Sequence, residues 1–262
     1  ILSFKVTCAI FLNGVSSIRG LIQTRDHLEN ILHYLNYPIQ GSKDKITIEG
    51  QYKISKSLNI TLPGDISSAA FVIAAAVLLE KSSIIIKNTG INTHRLGFIQ
   101  KLIEMGANIV LYNRRIRYGE PVADIKAEYS ANLKGVRVNK SFVSSMIDEI
   151  PIFCIIACYA RGESIIEGVQ ELEFKESNRI SAIIKNIRLM GGNIAFNNNT
   201  LLITPKNKLH YTNIKSYDDH RIFMSFYIAN LVAGASINNQ KIDLCYKKSF
   251  PEFIDLIRRI VK

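Results

Sequence analysis

Hydrophobic and polar positions alternate between two regimes along this chain. Stretches such as "AAFVIAAAVLL" (69–79) and "IPIFCIIAC" (150–158) are apolar on every side, which predicts helices enclosed by other elements. Stretches such as "THRLGFIQKLIEM" and "ESNRISAIIKNIRLM" place apolar residues three and four apart, which predicts helices with one buried face. Between the two kinds lie β-branched runs, "SSIIIKN" and "ESIIEGV", bounded by Gly and polar residues as strands are. The apolar runs are too short to span a bilayer, and no signal peptide is visible, so a reducing cytoplasmic setting is expected.

These segments recur in a fixed order. One unit reads "GDISSAAFVIAAAVLLEKSSIIIKN" then "THRLGFIQKLIEMGANIVLY"; a second reads "MIDEIPIFCIIACYARGESIIEGV" then "ESNRISAIIKNIRLMGGNIAFN". A third runs "YDDHRIFMSFYIANLVAGASINN" then "KSFPEFIDLIRRI", and a partial copy precedes them in "FKVTCAIFLNGVSSIRG" with "TRDHLENILHYLN". A weak repeat of this kind predicts an α/β architecture of similar lobes packed around shared helices. Thr24, Thr93, Ser177 and Ser249 suit the N-cap of each amphipathic helix, and Ser249 with Glu252 matches a capping box. Gly106 and Gly191 are placed to close helices in the left-handed conformation. The polar stretch "GSKDKITIEGQYKISKSLNITLPG" ends at Pro63-Gly64, which puts a domain boundary between 1–63 and 64–262.

Charge adds one constraint. Lys and Arg outnumber Asp and Glu by 33 to 22, so anions are attracted, from a small phosphate to a nucleic acid. The basic residues are scattered, with no tail or Arg-rich stripe, and no nucleic-acid partner is expected. Cys8, Cys154, Cys158 and Cys245 form no CxxC pair and have no His cluster, which points away from zinc and from a disulfide framework; Cys154 and Cys158 read as small core residues.

Two motifs carry candidate chemistry. "EFKESNRI" crowds Lys175, Glu176 and Arg179 at a helix start, where the macrodipole already disfavours cations unless an anion is bound. Simple i,i+3 pairing on a solvated helix is the plain alternative, and Glu176 beside Lys175 is the other, a proton-transfer pair. "YDDHRIFMSF" sets Asp219, His220 and Arg221 before an apolar helix. It occupies the place in its repeat that Asp148 and Glu149 occupy in "IDEIP" and that "PGDISSAAF" occupies in the first unit. Related lobes would bring these helix starts together into one anion trap.

In the order "TRDHLENIL", "LPGDISSAAFVIAAA", "GEPVADI", "MIDEIPI", "ELEFKESNRI", "YDDHRIFMSF" and "SFPEF", the chain resembles the 5-enolpyruvylshikimate-3-phosphate synthases over nearly its whole length. The resemblance implies an inside-out α/β barrel of βαβαββ units, with 64–262 as one domain and 1–63 as the C-terminal part of the shikimate 3-phosphate domain. It implies transfer of the enolpyruvyl group of phosphoenolpyruvate to the 5-hydroxyl of shikimate 3-phosphate, with release of phosphate, in the shikimate pathway to aromatic amino acids. Neither metal nor organic cofactor is implied. Carried over by position, Asp148 binds the shikimate hydroxyls and takes the proton of the attacking one, and Lys175 contacts that hydroxyl. Glu176 exchanges a proton with the methylene carbon of phosphoenolpyruvate, Arg179 and Arg221 hold its carboxylate, and Lys248 contacts phosphate. Thr24 and Arg25 hold the 3-phosphate, and His220 supports the site.

Several positions depart from the family pattern. Asn178 stands where the family usually has Asp, and Glu173 replaces a basic residue. The family's N-terminal Lys and Gly-rich "NAGT" motifs have no counterpart, so the first domain is expected to be mostly absent, completed by a preceding segment or a separate chain; whether the 262 residues act alone is left open. Two further readings stand beside this one: a non-catalytic anion-binding scaffold of the same fold, and a relative of the UDP-N-acetylglucosamine enolpyruvyl transferases. The second calls for a nucleophilic Cys or Asp in a mobile loop, which the sequence does not display.

Overall fold

The structure is a computed structural model that describes residues 2–20, 25–42, 44–55, 59–205, 208–236 and 240–261. Its first part contains α1 (Leu2–Ile10), β1 (Val15–Arg19), α2 (His27–Tyr34), β2 (Ile39–Gly41) and β3 (Lys45–Glu49). The strands form an antiparallel sheet in the order β1-β3-β2. β3 buries Ile46 and Ile48 on one face, where Val6 and Ala9 of α1 and Leu32 of α2 close a small core of their own.

The larger part follows from Gly64. It contains α3 (Ile66–Leu78), β4 (Ser83–Gly90), α4 (Gly97–Glu104), β5 (Asn108–Arg117), β6 (Glu120–Glu128), β7 (Arg137–Val138), α5 (Lys140–Val143) and α6 (Ile150–Cys158). It continues through β8 (Ser164–Glu167), α7 (Arg179–Leu189), β9 (Asn193–Asn197), β10 (Thr200–Thr204), α8 (His220–Val232) and α9 (Phe253–Ile260). One sheet runs β4-β6-β5, all antiparallel; the other runs β7-β8-β10-β9, with β7 parallel to β8. The helices read as apolar on all sides, α3 and α6, pack against each other and against α8 at the centre of one continuous core. Alanines 69, 70, 74, 75 and 76 on α3 allow close approach, and Phe153 of α6 meets Phe98 edge-to-face. Cys154 and Cys158 are buried there as core residues. The helices with polar faces, α4, α7 and α9, lie outside.

Helix starts differ from the expected caps. Asn178, not Ser177, caps α7 by accepting from the Ser181 N–H, so the Asp-to-Asn departure preserves a capping oxygen. Thr93 lies in a 3₁₀ turn, Thr93–Arg95, that Asn92 caps, and α4 begins only at Gly97. No capping box forms at Ser249: that residue closes a 3₁₀ turn, Leu244–Lys248, and α9 begins after Glu252. Thr24 lies outside the described residues. The helix-closing glycines behave as expected, with φ of +89° at Gly106 and +81° at Gly191. The third repeat has no strand after α8 among the described residues; α9 packs there instead, with Phe253 against Phe71 and Tyr227.

A seam joins the two parts. The tip of the β5–β6 hairpin rests on α2: Tyr118 meets Tyr34 edge-to-face at 5.6 Å, and the Asn30 amide donates to Glu120 at 3.1 Å. Gly119 has φ of +83°, and a Cβ there would lie 2.4 Å from the Asn30 carbonyl oxygen, so only glycine lets the hairpin approach. Asn92 donates to Asp26 at 2.6 Å beside it.

Candidate active site

The three central helices begin at the same end of the core. Asp65 caps α3 by accepting from the Ser68 N–H, and Asp219 caps α8 by accepting from the N–H groups of Arg221 and Ile222. α6 starts behind Glu149 with Pro151 in its first turn, where the missing N–H is no loss. The first turns touch: Glu149 accepts a hydrogen bond from Ser67 of α3 and faces Arg221 of α8. The equivalent places in the sequence repeat are therefore adjacent in space.

Asp148, the residue before that start, is ringed by guanidinium groups. Arg25 donates to its Oδ2 at 2.8 Å, Arg221 Nη2 lies 3.6 Å from the same oxygen, and Arg179 Nη1 lies 3.5 Å from Oδ1. Burial opposes its charge, but Arg221, Arg25 and Arg179 outweigh that and lower its pKa from the ordinary 3.8 to about 2. Arg179 is wholly buried. Its Nε donates to Asp219 Oδ2 at 2.8 Å, its Nη2 meets Glu176, and its Nη1 has no hydrogen-bond partner. Burial also opposes the charge of Asp219, and the Arg179 contact with two backbone N–H donors holds its carboxyl below the ordinary range.

The remaining candidates stand around this centre. Lys175 reaches not Glu176 but Glu171, four residues earlier, so the expected Lys175–Glu176 proton-transfer pair is not formed. Glu176 pairs instead at i,i+3 with Arg179, the plain alternative, yet its partner is a buried cation with two further carboxylates. His220 is buried, with its pKa lowered by burial and by Arg221. Lys248 lies farther out, with Nζ 2.6 Å from Asp218. Two residues that the sequence placed at helix starts without assigning them a role prove central: Asp219, which grips Arg179, and Glu149. Their signal was position, an acidic residue at the start of an apolar helix.

A cleft of about 880 Å³ opens beside the cluster, between α2 on one side and residues 141–148 on the other. Arg25, Asp148 and Lys175 line it, with the hydroxyls of Ser144, Ser145 and Thr93. The lining combines cations, hydroxyls and the ionised Asp148 carboxylate, with Asp26, Glu29 and Glu171 among the other lining residues, a set that can hold an anion that also carries hydroxyl groups. Among the described residues, no group of three or more His, Cys, Asp or Glu side chains is placed to hold a metal ion.

Comparison with known proteins matches residues 5–257 to the EPSP synthase (3-phosphoshikimate 1-carboxyvinyltransferase) family. The chain belongs to the EPSP synthase family. It is 41% identical to the 3-phosphoshikimate 1-carboxyvinyltransferase of Persephonella marina over 99% of its own length and 60% of that protein, and 36% identical to that of Desulforamulus reducens over 96% and 58%. The fold superposes on EPSP synthase from Acinetobacter baumannii with a TM-score of 0.86 at 32% identity, covering 96% of this chain and 58% of that one. The enolpyruvyl transferase NikO from Streptomyces tendae shares the fold, with a TM-score of 0.73 at 14% identity over 97% of this chain and 57% of that one. The α/β architecture expected from the repeats, and the enolpyruvyl transferase fold implied by the resemblance, are thus the observed ones. The chain spans about 60% of the length of the curated relatives it matches. Among the described residues, no helix is long and apolar enough to cross a membrane.

Proposed function

We propose that the chain carries the C-terminal share of a site that transfers the enolpyruvyl group of phosphoenolpyruvate to the 5-hydroxyl of shikimate 3-phosphate and releases phosphate. One observation carries the reading: Asp148 lies at the meeting of three helix starts with Arg25, Arg179 and Arg221 around it. Two substrates that bring two phosphates and a carboxylate need such preorganised positive charge, because donors fixed before binding need no reorganisation during reaction.

In this scheme Arg25, with Thr24, holds the 3-phosphate, and Lys175 and Asp148 contact the shikimate hydroxyls. Arg221 presents forked donors to the phosphoenolpyruvate carboxylate, which lysine matches only as a point charge, and Arg179 adds the one nitrogen it has left without a hydrogen-bond partner, Nη1. In the ligand-free protein the three guanidinium groups keep Asp148 a weak base. As substrate anions engage those groups, less of their charge falls on Asp148, and its basicity rises when the 5-hydroxyl must lose its proton. Glu176 delivers a proton to the methylene carbon as the hydroxyl oxygen bonds to carbon 2; the tetrahedral intermediate then returns a methyl proton to Glu176 as it expels phosphate, which restores the double bond. Lys248 meets the departing phosphate, and buried His220 supports Arg221.

The cleft divides the chain into two proposed domains, 1–63 and 64–262, a division that fits the two separate hydrophobic cores. The remaining ligands of phosphoenolpyruvate belong to the span of the relatives that this chain does not cover, supplied as a further segment or chain. Four free thiols suit a reducing cytosol. Phosphate release with both substrates present, by this chain and by the same sequence within a full-length relative, tests the reading. Release abolished by Asp148→Asn supports it; release that persists in that variant refutes the assignment.

A further inference from the structure

Glu149 has no part in the scheme above, yet its placement is unusual. It sits at the start of α6 with only 3% of its surface exposed, and its side chain does not cap its own helix. On one side it accepts a hydrogen bond from the Ser67 hydroxyl. Ser67 in turn accepts from Arg95 at 2.6 Å, and Arg95 also grips Asp65, the cap of α3, at 2.8 Å. On the other side its Oε1 has no hydrogen-bond partner and lies 3.9 Å from Arg221 Nη1. A buried acceptor left unpaired costs stability, so a carboxyl here needs a compensating use.

That use lies in the geometry of Arg221. Its Nη2 lies 3.6 Å from Asp148 and its Nη1 3.9 Å from Glu149, so an acidic group stands at each terminal nitrogen. Nη1 also donates to the Asp148 carbonyl oxygen at 3.4 Å, so one hydrogen bond and two flanking acidic groups restrain the fork, and its orientation sets the direction in which its remaining N–H groups are offered. We propose that Glu149 is a positioning residue: it holds the Arg221 guanidinium from behind and ties it through Ser67 and Arg95 to the start of α3. The consequence for phosphoenolpyruvate rests on the functional reading above; the restraint on Arg221 does not. Because burial pushes the Glu149 carboxyl up, toward its neutral form, an amide of the same reach can replace it.

The test compares wild type with Glu149→Gln and Glu149→Ala, using thermal unfolding to confirm the fold. NMR follows hydrogen exchange of the Arg221 side-chain N–H groups, assigned by their loss in Arg221→Lys, and calorimetry follows phosphoenolpyruvate binding with shikimate 3-phosphate present. In Glu149→Ala the Arg221 signals should exchange at least about tenfold faster, and affinity should fall about 100-fold, as for a group displaced by an ångström. Glu149→Gln should stay within about threefold of wild type in both. The inference is overturned if Glu149→Ala leaves the Arg221 signals unchanged, or if Gln falls as far as Ala. Should wild type bind no phosphoenolpyruvate, the functional reading fails and the Arg221 signals alone decide. Should Glu149→Ala not fold, Ser67→Ala decides: faster Arg221 exchange is expected, and none overturns the proposal.

Discussion

Replacing Asp148 by Asn removes one negative charge from the centre of three guanidinium groups with almost no change of shape. The carboxyl is held at about 2 in place of 3.8, and that gap corresponds to about 2 kcal/mol of stability contributed by the ionised form. Because the folded-state value is the lower one, the contribution is fully present above pH 3.8 and is lost as pH falls toward about 2. At neutral pH Asp148→Asn should therefore unfold about 4–8 °C below wild type, at about 2–4 °C per kcal/mol for a chain of this size. Urea unfolding across the acidic range should show the difference shrinking as wild-type Asp148 is itself protonated. Arg25, Arg179 and Arg221 lose a shared counter-charge in the variant, so sulfate should stabilise it more than it stabilises wild type. A difference that is the same at every pH, or no difference at neutral pH, would refute the claim that these cations hold Asp148 ionised.

Arg179→Ala strands buried Asp219 and should destabilise by about 3–5 kcal/mol, read by chemical unfolding; a loss below about 1 kcal/mol would mark the pair as marginal. Gly119→Ala forces a Cβ into the Asn30 carbonyl and should loosen the hairpin from α2, seen as faster hydrogen exchange of both with the α3–α6–α8 core unchanged. His220 has a folded-state pKa below the ordinary 6.5, so the unfolded chain binds its proton more readily. Stability should fall as pH drops below 6.5, and His220→Gln should flatten that part of the profile. Glu176→Gln should reduce turnover far more than substrate binding; equal losses would contradict its role in proton transfer.

Much of the architecture could be read from the apolar periodicity. All-round apolar runs became the central α3 and α6, the three- and four-residue spacing became α4 and α7, and equivalent repeat positions turned out to be neighbours at one end of the core. Side-chain pairing was less legible. Lys175 and Glu176 are adjacent in sequence, but Lys175 closes the 3₁₀ turn Gln170–Phe174 and reaches back to Glu171, while Glu176 reaches forward to Arg179 in the first turn of α7. The caps at Asn178 and Glu252 were displaced by one to three residues because 3₁₀ turns, Gln170–Phe174 and Leu244–Lys248, precede those helices. The Arg25–Asp148 contact spans 123 residues and joins the two parts of the chain, so no local pattern encodes it.

Titration calorimetry with shikimate 3-phosphate and phosphoenolpyruvate, in wild type and in Arg221→Lys, is the decisive measurement. If the gathered helix starts form a site for these anions, shikimate 3-phosphate should bind, phosphoenolpyruvate should bind once it is present, and Arg221→Lys should abolish the second heat while keeping the first. A folded chain that gives heat with neither ligand, or heat that collapses with salt and ignores the substitution, would contradict it.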